Sequence, residues 1–239
     1  MPEDDGRING VNLGGWLVLE RWMTPGLFRA SGEEDEIWLH RSTDPAELER
    51  LLRRHRDTYI TEDDFRAISA HGLNLVRIPV PFFIFGDVPG HPGCVEYLDR
   101  AFDWAERAGL KVLIDLHTVP GSQNGFDNGG LTGVVRWHTT PRQVAFALDV
   151  LERLARHLLG ARGARFRMAV FARQVALESD VDLKRVERVL GEAIFPHALP
   201  EGWEGGKRLV HLFDVSHDRP LVFLAKRGPG VPNNRALEG

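Results

Sequence analysis

The sequence predicts an α/β chain organised on a parallel sheet, and three observations predict it. Over roughly the first 160 of 239 residues, strand-like and helix-like stretches alternate, the order from which parallel sheets are built. The strand-like stretches 73–80 and 111–117 are apolar on both faces, as strands covered on both sides are. The polar residues that interrupt this pattern gather toward the carboxyl ends of strands, where parallel architectures carry their sites. A barrel and an open doubly wound sheet both fit. Neither common Gly-rich phosphate-loop spacing occurs, which disfavours a nucleotide fold.

The first strand centres on residues 11–13 and is followed by Gly14-Gly15, a pair expected where backbone passes close to something. Trp16, Glu20, Trp22 and Pro25 come next. Indoles and a carboxylate near a strand end suit a sugar, whose C–H face stacks on the ring while its hydroxyls bond the carboxylate. Taken singly, a tryptophan is as readily plain core.

A helix then begins with Asp44 as cap and Pro45 in the first position. Leu48, Leu51 and Leu52 make its apolar stripe, and charged residues fill the other face. A second opens on Thr61 with Asp64 three residues on, turns Phe65 and Ile68 inward and stops at Gly72. In the strand 73–80, Arg77 is the exception. A guanidinium among such neighbours must be paired, and both a structural ion pair and a role in a site are open for it.

The third helix covers 95–108, with Val95, Leu98, Ala101, Phe102 and Ala105 inward and Gly109 as stop. It feeds the strand 111–117, which runs into a loop holding Gln123, Asn124, Phe126, Asp127 and Asn128. Asp115 and His117 either satisfy backbone groups at a strand end or serve a ligand. Four glycines and a proline in 118–130 let the loop's polar groups converge, which favours the ligand. Thr140 and Pro141 then start a helix to about 159, apolar at Val144, Ala147, Leu151, Leu154 and Leu158.

Composition narrows the function classes. With 43% hydrophobic residues and a net charge of -4, the chain is globular and gives no reason to expect nucleic acid or an anionic membrane as partner. Its single cysteine, Cys94, forms no internal disulfide, and nothing near it resembles an activated nucleophile or a metal site. The start is charged where a secretion signal needs an apolar core, and no run approaches membrane-spanning length, so a cytoplasmic location is expected.

Gly10-Val-Asn-Leu-Gly-Gly-Trp-Leu-Val-Leu-Glu20, Tyr59-Ile-Thr-Glu-Asp-Asp-Phe65, Gly72-Leu-Asn-Leu-Val-Arg-Ile-Pro79 and Ile114-Asp-Leu-His117 through Gly121-Ser-Gln-Asn-Gly-Phe-Asp-Asn128 together resemble glycoside hydrolase family 5, specifically its exo-β-1,3-glucanase branch. The resemblance covers about residues 7–158. It implies a TIM-type (β/α) barrel that hydrolyses the β-1,3-glucosidic bonds of glucans with retention, using two glutamates and neither metal nor organic cofactor. By position, Arg77 would steady the nucleophilic carboxylate, and His117 would bond the sugar in the reacting subsite. Glu20, Asp127 and Asn128 would bind glucose hydroxyls, and Phe126 would wall the entrance for the next sugar. The partner implied is a β-glucan or glucoside.

The departure from that family is as informative. Its acid/base glutamate lies in an Asn-Glu-Pro that this sequence lacks. Glu178 falls at a plausible distance after His117 but without the asparagine, in a stretch of helical period, so the catalytic residues are unassigned. Three readings follow: a hydrolase by descent that is inactive without its glutamates, a non-catalytic glucan-binding or assembly piece, or a truncated or frame-shifted barrel fused to unrelated residues.

The last 79 residues carry 13 Lys+Arg against 10 Asp+Glu, the first 160 carry 17 against 24, and such a shift marks a boundary. The expected organisation is therefore a partial TIM-type (β/α) barrel over 1–159 and an unrelated α+β segment over 160–239. That segment holds a helix from Asp182, a hairpin of 208–215 with 221–226, and a loose tail after Gly228. Its histidines His197, His211 and His217 lack metal spacing. A full barrel needs roughly 250 residues, and three βα units have already used about 158, so an open edge is left through which the chain can self-associate.

Overall fold

The computed structural model describes residues 9–162 and 167–170. Four parallel strands form one sheet in the order β1 (Gly10–Asn12), β2 (Leu75–Val80), β3 (Lys111–Leu116), β4 (Arg167–Val170). Spatial order equal to chain order is that of a barrel wound in one direction; a doubly wound sheet reverses at a switch point.

The register divides the sheet into two faces. Val76, Ile78 and Val80 of β2 and Val112, Ile114 and Leu116 of β3 lie on one face and are buried in the main core. That core includes Leu98, Ala101, Phe102 and Ala105 of α5 (Val95–Ala108). It also includes Val144, Ala147, Leu151 and Leu154 of α6 (Pro141–Arg162). Helices thus cover this face, as in a barrel wall. Asn12, Arg77, Leu113 and Asp115 share the opposite parity and point to the other face.

The capping signals are realised. Asp44 Oδ1 accepts from the Ala46 and Glu47 amides at the start of α3 (Pro45–Tyr59). Thr61 and Asp64 form the capping box of α4 (Glu62–Ala70), with Asp64 Oδ2 accepting the Thr61 N–H at 2.7 Å. Gly109 ends α5 at φ 70°, a left-handed turn that glycine makes without strain. The second strand starts at Leu75 rather than 73, because the Leu73 amide donates to Ile68 O and closes the end of α4.

Two expectations need correction. The polar side of α3 is not wholly solvated, since His55 and Arg56 are buried: Trp16, 0% exposed, donates its indole N–H to Arg56 O at 2.9 Å and stacks on Trp104. Two short helices, α1 (Pro25–Phe28) and α2 (Glu36–Ser42), occupy a stretch in which the sequence suggested none. With α3 they build a smaller core of Leu19, Phe28, Leu39, Leu48 and Leu52. Position 159/160, expected as a boundary, lies within α6, and β4 follows it in the same sheet. Glu178, the helix from Asp182, the hairpin, His197, His211 and His217 lie outside the described residues.

Candidate functional site

The centre of the candidate site is built by strand alternation. In β3, Asp115 is two residues before His117, so both side chains leave on the face away from the helices, and His117 extends the ladder by donating its amide to Val80 O at 2.9 Å. Arg77 of β2 reaches across: Nη2 donates to Asp115 Oδ2 at 2.5 Å and Nη1 to Asn12 Oδ1 at 2.7 Å. His117 Nδ1 lies 2.6 Å from the same Asp115 oxygen and 3.4 Å from Arg77 Nη2. Three adjacent parallel strands therefore contribute one side chain each to a contiguous polar network.

Burial makes that network stiff. Asp115 is 2% exposed and His117 5%; an ion pair so enclosed survives only when its remaining polar atoms are engaged. Asp115 and Arg77 hold the imidazole by its Nδ1, so the ring's orientation is fixed by its neighbours. Of the two readings open for Arg77, the ion pair is observed, and its place beside His117 puts that pair inside the site.

The loop after β3 is held by its own amides and by α2. Ser122, buried with φ 56°, accepts the Gly125 N–H on Oγ at 3.1 Å. Gln123 Nε2 donates to His117 O at 2.8 Å. Asn124 Nδ2 donates to Asn128 Oδ1 at 2.8 Å while its Oδ1 accepts from Phe126 N. Asp127 Oδ1 accepts the Asn128 N–H at 2.9 Å. Gly129 is required by contact: a Cβ there would sit 2.3 Å from Asn124 Oδ1 and 2.6 Å from Ser122 Oγ. From α2, Asp35 Oδ2 accepts the Thr132 N–H at 2.8 Å and the Ile37 amide donates to Gly130 O at 3.0 Å.

The predicted residues fall into three groups. Arg77 and His117 meet at Asp115. Phe126, Asp127 and Asn128 sit on the loop that follows; Phe126 is 66% exposed and Asn128 is buried. Glu20, nearly buried, follows β1 and accepts the Trp22 indole N–H on Oε2 at 2.9 Å. The two tryptophans thus separate, Trp16 into the core and Trp22 onto the surface at 71% exposure.

Sequence reasoning missed Asn12, although it stands beside Arg77 in register, and singled out Asp115 beside His117 without seeing that it is the acceptor joining Arg77 to His117. It also missed a buried polar cluster behind Glu20. There Glu36 of α2 is 0% exposed, and burial pushes its carboxyl from 4.5 up to about 8, with Arg56 opposing the rise. His40 Nδ1 lies 2.8 Å from His91 Nδ1. Burial lowers His40 to about 2, helped by His91 and Arg56, and lowers His91 to about 4, helped by Arg41. Cys94 is buried and pushed up to about 12 by burial, so its thiol stays protonated and is no nucleophile. Among the described residues no three His, Cys, Asp or Glu side chains form a metal-holding group, and no helix is long and apolar enough to cross a membrane.

No protein-family model matches the chain. A probable glucan 1,3-beta-glucosidase A of Aspergillus fumigatus is 44% identical over 160 residues, 65% of this chain and 38% of that protein. The corresponding protein of Aspergillus terreus is 51% identical over 135 residues, 54% of this chain and 32% of its own length. The chain thus spans little more than a third of the relatives it matches. The crystal structure of rutinosidase from Aspergillus niger superposes with a TM-score of 0.67 at 21% identity, over 80% of this chain and 60% of that one. Over about its N-terminal 60%, the chain is similar in sequence to proteins named glucan 1,3-beta-glucosidases, and its parallel sheet with helices on one face has the fold of part of a (β/α) barrel.

Proposed function

We propose that this chain binds the glucose end of a β-1,3-glucan through the recognition half of a retaining glucosidase site and does not hydrolyse it. The observation that carries this reading is the buried Arg77–Asp115–His117 network on the face of adjacent parallel strands opposite α5 and α6. In that reading the His117 imidazole takes part in holding the terminal glucose, and Glu20, Asp127 and Asn128 bond its hydroxyls. Phe126 stacks on the next ring, whose C–H face suits an exposed aromatic.

Hydrolysis with retention needs two carboxyls about 5–5.5 Å apart, one to protonate the leaving oxygen and one to attack the anomeric carbon. Asp115, the carboxylate deepest in the network, is engaged by Arg77 and His117, and the sequence has no Asn-Glu-Pro to supply the acid. Calorimetric titration with laminarin, alongside a reducing-sugar assay, tests this. Binding without turnover is expected; turnover that His117→Ala abolishes, or no binding at all, overturns it.

The open sheet edge is the proposed route to self-association. Among the described residues β1 ends the sheet, with Gly10 and Asn12 exposed, and an unpaired edge is a template for a second chain. Sedimentation equilibrium is expected to give a dimer that His117→Ala leaves intact; a monomer at all concentrations overturns it.

A further inference from the structure

Glu36 is the least expected residue of the fold: a carboxyl 0% exposed, both of whose oxygens lack a hydrogen-bond partner. Nor is it alone. Arg56 Nε and Nη2 and His40 Nε2 are likewise buried and unpartnered, and His40 Nε2 lies 3.9 Å from Glu36 Oε1. Buried polar atoms without partners are costly, so a cluster of five calls for an explanation other than packing.

Its position supplies one. Glu36 opens α2, between the two arms of the candidate site. The residue before it, Asp35, holds the Thr132 amide, and the residue after it, Ile37, donates to Gly130 O; both contacts pin the loop that carries Asp127 and Asn128. Its own carboxyl faces the Leu19–Glu20 segment, with the Leu19 amide close enough to oppose the rise in its pKa without making a bond of normal geometry. α2 is thus the strut between the Glu20 arm and the Asp127 arm, and Glu36 is where it meets the first of them.

We propose that Glu36 is a positioning residue that keeps these two arms in register as one glucan-binding rim, and that it does so only as the neutral acid. The role rests on the proposed glucan-binding reading. A neutral carboxyl can remain in this enclosure, whereas a carboxylate must be paired or rehydrated, and rehydration draws the start of α2 away from Leu19. The charged and titratable groups around it are Asp35 and His40 on its own element, Arg56 of α3, Glu20 after β1, and His91 and Cys94 before α5. Only Arg56 favours the anion, and its guanidinium donates Nη1 to Gly93 O.

Two measurements on the full chain test this. In the first, amide exchange at Ile37 and Thr132 is followed from pH 7 to pH 9 without sugar, corrected for the intrinsic base dependence. The corrected rates of the parent are expected to rise about tenfold and those of Glu36→Gln to stay level; equal behaviour of the two proteins overturns the proposal. In the second, laminarin affinity of the parent is expected to fall about tenfold over the same pH range and that of Glu36→Gln to persist. If the parent binds no laminarin at any pH, the glucan reading falls by itself and the exchange rates still decide whether Glu36 holds the two arms.

Discussion

His117 Nδ1 and Arg77 Nη2 converge on one oxygen, Asp115 Oδ2, at 2.6 and 2.5 Å. That shared acceptor links the middle of one strand to the end of the next and fixes the orientation of the imidazole.

Removing the acceptor should therefore be costly. Asp115→Ala leaves the Arg77 guanidinium, 13% exposed, without its carboxylate, and breaking an enclosed pair typically costs about 3–5 kcal/mol. A urea midpoint unchanged in Asp115→Ala would contradict the structural weight given to this network.

His117→Ala separates binding from stability. The imidazole is an end-of-strand side chain, so its loss should cost the fold about 1–2 kcal/mol while laminarin affinity drops by more than tenfold. Retained affinity in calorimetry removes His117 from the site.

Trp22 offers a subtler test. Its indole N–H holds Glu20 Oε2, and the ring is largely exposed, so Trp22→Phe should change stability by no more than about 0.5 kcal/mol. Glucan affinity should fall severalfold, because Glu20 loses the donor that orients it. Equal affinity of parent and variant shows that the contact orients nothing.

At Gly129 the neighbours admit no methyl group. Gly129→Ala forces its Cβ against Asn124 Oδ1 and Ser122 Oγ, the two atoms that accept the loop's own amides. The loop must open, so laminarin binding should be lost with a stability change of about 1–3 kcal/mol. A crystal structure of the variant with an unchanged loop excludes this account.

The buried titrating cluster gives stability two pH limits. Glu36 holds its proton more tightly folded than unfolded, so its contribution is complete below about 4.5 and is lost as pH rises through about 8. His91 and His40 have lowered values, so theirs is complete above 6.5 and is lost as pH falls, through about 4 for His91 and about 2 for His40. Glu36→Gln should unfold at higher urea than the parent at pH 9, by on the order of a few kcal/mol, and His91→Phe should flatten the fall in stability between pH 6.5 and 4. Parallel pH profiles for parent and variants would exclude Glu36 and His91 as the source of these limits.

Much of the local structure was legible before any coordinates, because it depends on neighbours in sequence. Asp44-Pro45, Thr61 with Asp64, and Gly109 declare helix ends through bonds that span four residues or fewer. The apolar pattern of 75–80 and 111–116 declares strands covered on one side by helices and enclosed on the other. The motif Gly121 through Asn128 marked the candidate-site loop, and every side chain of it that makes a loop bond is polar.

What sequence could not yield depends on residues far apart in the chain. Whether the parallel strands run in one direction or reverse is a matter of pairing order, and only β1-β2-β3-β4 excludes the doubly wound alternative. Asn12 joins Arg77 across 65 residues, and Asp35 joins Thr132 across 97. Glu36, His40, Arg56 and His91 read as ordinary helix and loop polars until α2, α3 and the loop before α5 close over them. Local hydrogen bonds and periodicity thus determined the elements and the chemistry offered at strand ends. Burial, which depends on what the rest of the chain places opposite each side chain, decided which polar groups remain at the surface and which are locked inside.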